Sequence, residues 1–297
     1  MRRLAGILTA LLLSLGVVTP AAADTTATYQ VWSWNVAGWA MNKALINNGM
    51  VSGAVSSIQV RGAQFVALNE ICWQQYKEIQ SKLATAGWPQ DTTNFSRFAE
   101  QRADVCNGEA FGEAIFSKFP LGTAQKVLLP QDETKEQRQL LCAPLAARPQ
   151  LRFCTAHITP YSTNVQQLQK VLSVLEQQNA DGDTMLLAGD LNAQPSWGRL
   201  DDWYDADLKT DVNIQNRGQY RELDDLDPIC AGYGEKTTEN NTEGQCGQSS
   251  KIDLIFVRKN HLKGAYSEDS LAIAQNCTGG KPCSDHRIIV GTVTIDR

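Results

Sequence analysis

Residues 185–195 read MLLAGDLNAQP. Met185 to Ala188 is a short apolar run, the pattern of a strand covered on both faces. Gly189 ends the run, Asp190 and Asn192 follow on either side of Leu191, and Pro195 closes the stretch. A carboxylate and a carboxamide at the mouth of a buried strand sit where α/β folds commonly place their chemistry. A Gly-Asp turn whose polar side chains bond nearby backbone has the same local sequence. The rest of the chain decides between the two readings.

Immediately upstream, Val165, Leu168, Val171, Leu172 and Leu175 recur at helical spacing, with Thr163 or Asn164 as the N-cap. Before that helix lies Leu151–Ile158, LRFCTAHI, a strand with His157 near its end. Further strands are expected at 110–116, 126–129 and 139–143. The N-terminal part opens as strand, helix, strand, helix. Tyr29–Val36 alternates as a strand and carries Asn35, and Met50, Val51, Ala54, Val55 and Ile58 have helical spacing. Phe65–Leu68 is a strand running into Asn69-Glu70, and Trp73, Tyr76, Ile79 and Leu83 form a helix stopped by Gly87 and Pro89. Downstream, residues 196–250 are rich in Asp, Gly, Asn and Gln and read as loops with one or two short helices. Order returns at Lys251–Arg258, KIDLIFVR, with Asp253 near its start. Strands over 265–273 and Ile288–Ile295 follow, the latter preceded by Ser284-Asp285-His286.

Strand after strand thus begins or ends in a group able to bind a metal or move a proton: Asn35, Glu70, His157, Asp190, Asn192, Asp253, Asp285 and His286. Each has a structural explanation of its own. Glu70 can cap the next helix, a lone His157 can be a core histidine bonded to backbone, and Asp253 can pair with Lys251 on a solvated face. Taken together, those explanations require eight coincidences at strand termini.

In order, Asn35, Leu68-Asn69-Glu70, Gly112-Glu113-Ala114-Ile115-Phe116-Ser117, His157, Gly189-Asp190-Leu191-Asn192, Ile252-Asp253-Leu254-Ile255 and Ser284-Asp285-His286 resemble the endonuclease/exonuclease/phosphatase superfamily. That superfamily includes pancreatic-type deoxyribonucleases, abasic-site endonucleases, bacterial sphingomyelinases and inositol-polyphosphate phosphatases. The resemblance runs from about Tyr29 to the C-terminus. It implies an α/β (α+β) fold, a four-layer sandwich of two packed mixed β-sheets flanked by helices. His157-Ile158-Thr159-Pro160 also looks like the pancreatic-type pattern. Three positions depart from the family: Asn69 stands where Gln is usual, Glu113 where Asn is frequent, and Cys72 where pancreatic-type enzymes carry an Arg that enters the DNA minor groove.

Residues 1–23 read as a secretory signal peptide: Arg2-Arg3, an apolar run from Leu4 to Val18 too short to span a bilayer, Pro20, then Ala21-Ala22-Ala23. Residues 24–297 are expected to form one domain, since no linker or repeat interrupts them. The chain carries a formal net charge of −5, which becomes −7 without Arg2 and Arg3. An acidic chain lacks the broad positive field of a non-specific nucleic-acid coat, but a bound metal ion supplies positive charge locally. Eight cysteines after an export signal read as disulfides. Near-neighbour pairing gives Cys142–Cys154 across a hairpin, Cys230–Cys246 and Cys277–Cys283, and leaves Cys72 with Cys106.

The residue types suit hydrolysis of phosphate esters. Carboxylate and carboxamide oxygens favour a hard divalent cation, Mg2+ first, with Mn2+ or Ca2+ as alternatives. Glu70 is the first metal ligand, with Asn35 in support and Asp285 close by. Asp190 and Asn192 are expected to orient the attacking water, or a second metal, against the phosphorus. Asp253 and His286 form an orienter–base pair, and His157, with Glu113 beside it, protonates the leaving oxygen. Either Asp190 or His286 takes the proton of the water. The expected function is a secreted, metal-dependent phosphodiesterase acting on nucleic acid, DNA first, as a monomer with no stable protein partner. A sphingomyelinase-like phospholipid hydrolase or a phosphomonoesterase is the alternative; Trp197, Trp203 and Tyr204 are its candidate membrane-contact residues. The non-enzymatic alternative is a binding module that kept the fold.

Overall fold

The computed structural model describes residues 26–88, 94–210, 213–239, 244–273 and 276–296. The expected leader, residues 1–23, and the helix-stopping Pro89 lie outside the described residues. The chain forms β1 (Thr26–Asn35), α1 (Met50–Val60), β2 (Phe65–Cys72), α2 (Trp73–Thr85), β3 (Ser96–Cys106), β4 (Glu109–Ser117), β5 (Gln125–Leu128), β6 (Gln139–Leu145) and β7 (Arg148–Ala156). It continues with α3 (Asn164–Ala180), β8 (Thr184–Asp190), β9 (Tyr220–Glu222), β10 (Asp253–Arg258), β11 (Leu262–Leu271) and β12 (Ile288–Asp296). Two six-stranded mixed sheets result, ordered β11-β12-β1-β2-β4-β3 and β5-β6-β7-β8-β10-β9. One parallel pair lies in each, β1 with β2 and β7 with β8.

Alternation along the strands builds the layers. In β1, Tyr29 and Val31 point into the inter-sheet core with Phe65, Ile115, Phe153, Leu186, Ile255 and Val293. The alternate Trp32 and Trp34 point outward, into the core beneath α1 and α2. In β8, Leu186 and Ala188 face the first sheet, while Met185 and Leu187 face α3. Helices, sheet, sheet and helix therefore stack as four layers, with the central strands of each sheet buried on both faces and the edge strands β5 and β11 largely exposed.

Among its described residues the polar stretch 196–250 holds two single-turn 3-10 helices, Gly198–Leu200 and Gln248–Ser250, and also the short edge strand β9. Trp203 and Tyr204 are buried against Phe256, and Trp197 lies beneath the Arg199 guanidinium. These rings are packing groups rather than a membrane-contacting hairpin. Neither Thr163 nor Asn164 caps α3 through its side chain. Asn164 is buried and donates to the carbonyls of Thr159, Leu191 and Asn192, tying α3 to the ends of β7 and β8. The four disulfides pair as expected, and Cys142 and Cys154 stand directly opposite in the β6–β7 ladder.

Candidate active site

Strand register assembles the site. The β1–β2 pairing sets Asn35 beside Asn69, and the β8–β10 pairing sets Asp190 opposite Asp253. Asn69 then links the two sheets: its Oδ1 accepts the Asp190 backbone N–H at 2.9 Å and its Nδ2 donates to Thr155 Oγ1 at 3.2 Å. A methyl group on Gly189 would lie 2.4 Å from the Ala156 carbonyl oxygen, so only glycine lets β8 approach the end of β7 this closely. That approach brings His157 to Asp190. Ser284 closes the other side, donating to the Asn35 carbonyl at 2.7 Å and accepting the His286 backbone N–H at 3.1 Å.

Asp190 Oδ2 lies at the centre. Asn35 Nδ2 donates to it at 3.0 Å, His157 Nε2 is 3.6 Å away and His286 Nε2 is 3.7 Å away. The same Asn35 Nδ2 donates to Glu70 Oε1 at 3.0 Å, and His157 Nε2 lies 3.9 Å from that oxygen. His286 Nδ1 is paired with Asp253 Oδ2 at 2.8 Å. Asn192 N–H donates to Asp190 Oδ1 at 3.0 Å, and its side-chain Nδ2 donates to the Ile158 carbonyl at 2.9 Å. Ala37, Glu70 and Asn192 adopt left-handed backbone conformations although none is glycine. Strain of this kind costs of order 1–3 kcal/mol each and persists where surrounding contacts over-determine the backbone.

The expected residues therefore converge, with refinements to their roles. The Asn35 amide turns its nitrogen toward both acids, and its Oδ1 accepts the Ala37 N–H at 3.1 Å. It bridges Glu70 and Asp190 and presents no oxygen to a cation. Asp285 is half-buried and acts on both Glu70 and His286 through its charge. Glu113 does lie beside His157, but its Oε2 accepts the backbone N–H at 3.1 Å, and the ring Nδ1 has no hydrogen-bond partner.

Burial and charge set the protonation states. Burial pulls the His286 imidazolium down, but Asp253 and Asp190 outweigh it and raise the pKa to about 10. His157 is held well below its ordinary value by burial and then by the charges of Arg138 and His286. Burial pushes Asp190 up to about 7, with the neighbouring Asp253 charge adding to the shift. Burial likewise raises Glu70, against the Asn35 hydrogen bond. Near neutrality His286 is thus cationic and His157 neutral, the reverse of a His286 base and a His157 acid. The carboxylate of Asp253 opposite His286 and the burial of His157 are the physical reasons.

Arg138 belongs to the site although nothing in its polar run of sequence marks it. It is buried, pairs with Glu136 at 2.8 Å, and Nη1 donates to the His157 carbonyl at 3.4 Å. The donor set fits a hard divalent cation. Glu70 keeps part of its carboxylate open to solvent, its charged neighbours are His286, Glu136 and Asp285, and no thiolate is among them, every cysteine being in a disulfide. Asp190, Asp253 and His286 also cluster within metal-binding range. Within that trio His286 Nδ1 is already hydrogen-bonded to Asp253.

The family model of the endonuclease/exonuclease/phosphatase family matches residues 32–286, and the chain belongs to that family. Membership defines the class: a metal-dependent hydrolase of phosphate esters. The human nocturnin catalytic domain, solved with a bound sulfate anion, superposes with TM-score 0.64 at 14% identity over 91% of this chain and 95% of that one. D. rerio TDP2 complexed with a single-strand DNA product gives TM-score 0.59 at 18% identity over 90% and 99%. An endonuclease/exonuclease/phosphatase from Beutenbergia cavernae DSM 12333 gives 0.60 at 18% over 90% and 72%. No curated protein sequence matches the chain.

Proposed function

We propose that the chain is an exported, divalent-metal-dependent phosphodiesterase acting on nucleic acid as a monomer, residues 24–297 forming the working enzyme. One observation carries the reading: a single carboxylate oxygen, Asp190 Oδ2, lies within 4 Å of an imidazole nitrogen from each of His157 and His286. A phosphate drawn between the rings meets a cation on one side and a neutral donor on the other. Support for a nucleic-acid substrate comes from the similarity to TDP2, whose structure contains a DNA product. Support for export comes from the expected leader and from the pairing of all eight cysteines. No helix among the described residues is long and apolar enough to cross a membrane.

Glu70, with Asp285 nearby, would hold a divalent cation, Mg2+ first, which would supply charge neutralisation at the phosphoryl oxygens. Asp190 takes the proton of the attacking water, which Asn192 orients. Asn35 holds Asp190 and Glu70 at a fixed separation. His286, kept cationic by Asp253, donates from Nε2 to a phosphoryl oxygen. Neutral His157 offers a hydrogen bond from its Nε2–H to the departing oxygen. Asn69 and Arg138 fix the backbones of Asp190 and His157.

Purified protein assayed on duplex DNA, single-stranded DNA, RNA, sphingomyelin and a phosphomonoester, with and without chelator, tests the reading. Cleavage of a nucleic acid that chelator abolishes and Mg2+ restores is expected. Undiminished turnover in excess chelator, or activity confined to sphingomyelin, contradicts it.

The role of His157 has its own test. Substitution His157→Ala is expected to cost on the order of 10²-fold on DNA. A nitrophenyl phosphodiester, whose leaving oxygen needs little help, should recover most of that loss. Equal loss on both substrates removes His157 from the leaving-group side.

A further inference from the structure

Glu70 has a left-handed backbone, φ 55°, inside a strand, which an L residue with a long side chain does not choose unaided. Its surroundings enforce it. The β2–β4 ladder breaks register between Leu68 and Ile71, so Glu70 sits on a bulge. Its carbonyl accepts the Gly38 N–H at 2.8 Å. A methyl group at Gly38 would come within 2.5 Å of that carbonyl oxygen and 2.3 Å of Gln75 Oε1. Gln75, fully buried in the first turn of α2, accepts the Cys72 N–H at 3.1 Å. It donates to the carbonyls of Gly38 at 3.0 Å and Leu45 at 3.2 Å. Two residues after Glu70, Cys72 starts α2 and is bonded to Cys106 at the far end of β3. Both sulfurs are buried in a small satellite core with Ala44 and Phe111. Gln74 adds a second link, donating to the Cys106 carbonyl at 3.1 Å.

We infer that the Cys72–Cys106 disulfide and Gln75 are a positioning device for Glu70, holding the bulge in the one conformation that offers its carboxylate to a divalent cation. The inference rests on the reading of Glu70 as a metal ligand given above. The geometry separates this bond from the other three. It alone joins the residue two positions beyond Glu70 to a strand on the sheet edge, so it fixes the outgoing chain as the β1–β2 ladder fixes the incoming one. Without it, Ile71 and Cys72 are held by their β4 pairing and by the hydrogen bonds of Gln74 and Gln75. The ligand then samples extended backbone, and the cation must supply the cost of restoring the bulge.

The test is Mn2+ titration of the substrate-free protein, followed by the loss of the free-ion EPR signal, alongside Mg2+ dependence of turnover. Four variants are compared: Cys72→Ala/Cys106→Ala, Gln75→Met, Cys142→Ala/Cys154→Ala and Glu70→Ala. The first two are expected to weaken Mn2+ binding by about 10–100-fold, the usual range when an outer support of a ligand is lost. Turnover at saturating Mg2+ should stay close to that of the parent protein. The Cys142/Cys154 variant should bind Mn2+ as the parent does. Native Mn2+ affinity in a folded Cys72/Cys106 variant overturns the inference. Equal weakening in the Cys142/Cys154 variant also overturns it, as does failure of the Cys72/Cys106 variant to fold, because the bond then serves the fold at large. Native affinity in Glu70→Ala instead removes Glu70 as a ligand, and with it the reading on which the inference stands.

Discussion

Replacing Asp190 by Asn is expected to lower kcat on DNA on the order of 10²–10⁴-fold, with the protein folded and its far-UV spectrum unchanged. The substitution keeps one acceptor oxygen, turns the other into an amide donor facing Asn35 or the Asn192 N–H, and removes the one group placed to take a proton from water. It also removes one of the three carboxylates that keep His286 cationic. Burial and the Asp253 charge lift Asp190 to about 7, close to the optimum for a base working near neutrality. The parent rate should therefore climb as pH rises through that region, because the ionised carboxylate is the active form. In Asp190→Asn the residual rate should lose this rise. A variant that retains both the rate and its acidic limb would move the base elsewhere.

The second large effect concerns stability. Lys251 is fully buried, with Nζ 2.9 Å from Asp224, 3.1 Å from Glu268 and 3.5 Å from Glu222. Burial pulls its pKa down, but the three carboxylates outweigh burial and raise it well above the ordinary lysine value. Removing one partner of such a cluster leaves buried charge uncompensated, so Lys251→Met is expected to cost about 3–5 kcal/mol. Urea unfolding near pH 7.5 measures it. Burial holds Glu268 at about 8 against 4.5 in the unfolded chain, so folding favours its protonated form. The stability this group contributes is fully present below pH 4.5 and is lost as pH rises through 8. A neutral Glu268 has less need of an ammonium, so the cost of Lys251→Met should be larger at pH 9, above the Glu268 pKa, than at pH 6, below it. A pH-independent cost would mean that packing, rather than charge, dominates at this position. The site is linked to the cluster through sequence: Asp253 lies two residues on, and Thr237 Oγ1 accepts the N–H groups of both Ile252 and Asp253.

The strands that carry the site were legible because each is apolar on both faces and ends abruptly in a polar residue. Met185–Asp190 and Lys251–Arg258 are examples. Polar edge strands were not: β3 mixes Arg, Glu and Asp with few apolar residues and pairs only with β4, and β9 is three residues long. The site's membership followed from the residues at those ends, but its internal chemistry did not. That Asn35 spends its oxygen on Ala37, and that Glu113 meets the backbone rather than the ring of His157, depends on side-chain direction. The charges of the two histidines depend on Asp253, Arg138 and burial, none of which has a local signature. Lys251 looked like a surface partner for Asp253, because its actual partners lie 17 to 29 residues away in sequence. Gln75 and Cys72 gave no sign of their relation to Glu70, which is created by the bulge.

Mn2+-soaked crystals containing a non-hydrolysable phosphodiester, with data collected at the manganese absorption edge, test the central claim most directly. The account predicts an anomalous peak at the Glu70 carboxylate on the Asp285 side, with the phosphate seated between His157 and His286 and Asp190 facing the phosphorus. An anomalous peak remote from Glu70, or a phosphodiester bound away from the two histidines, would contradict it.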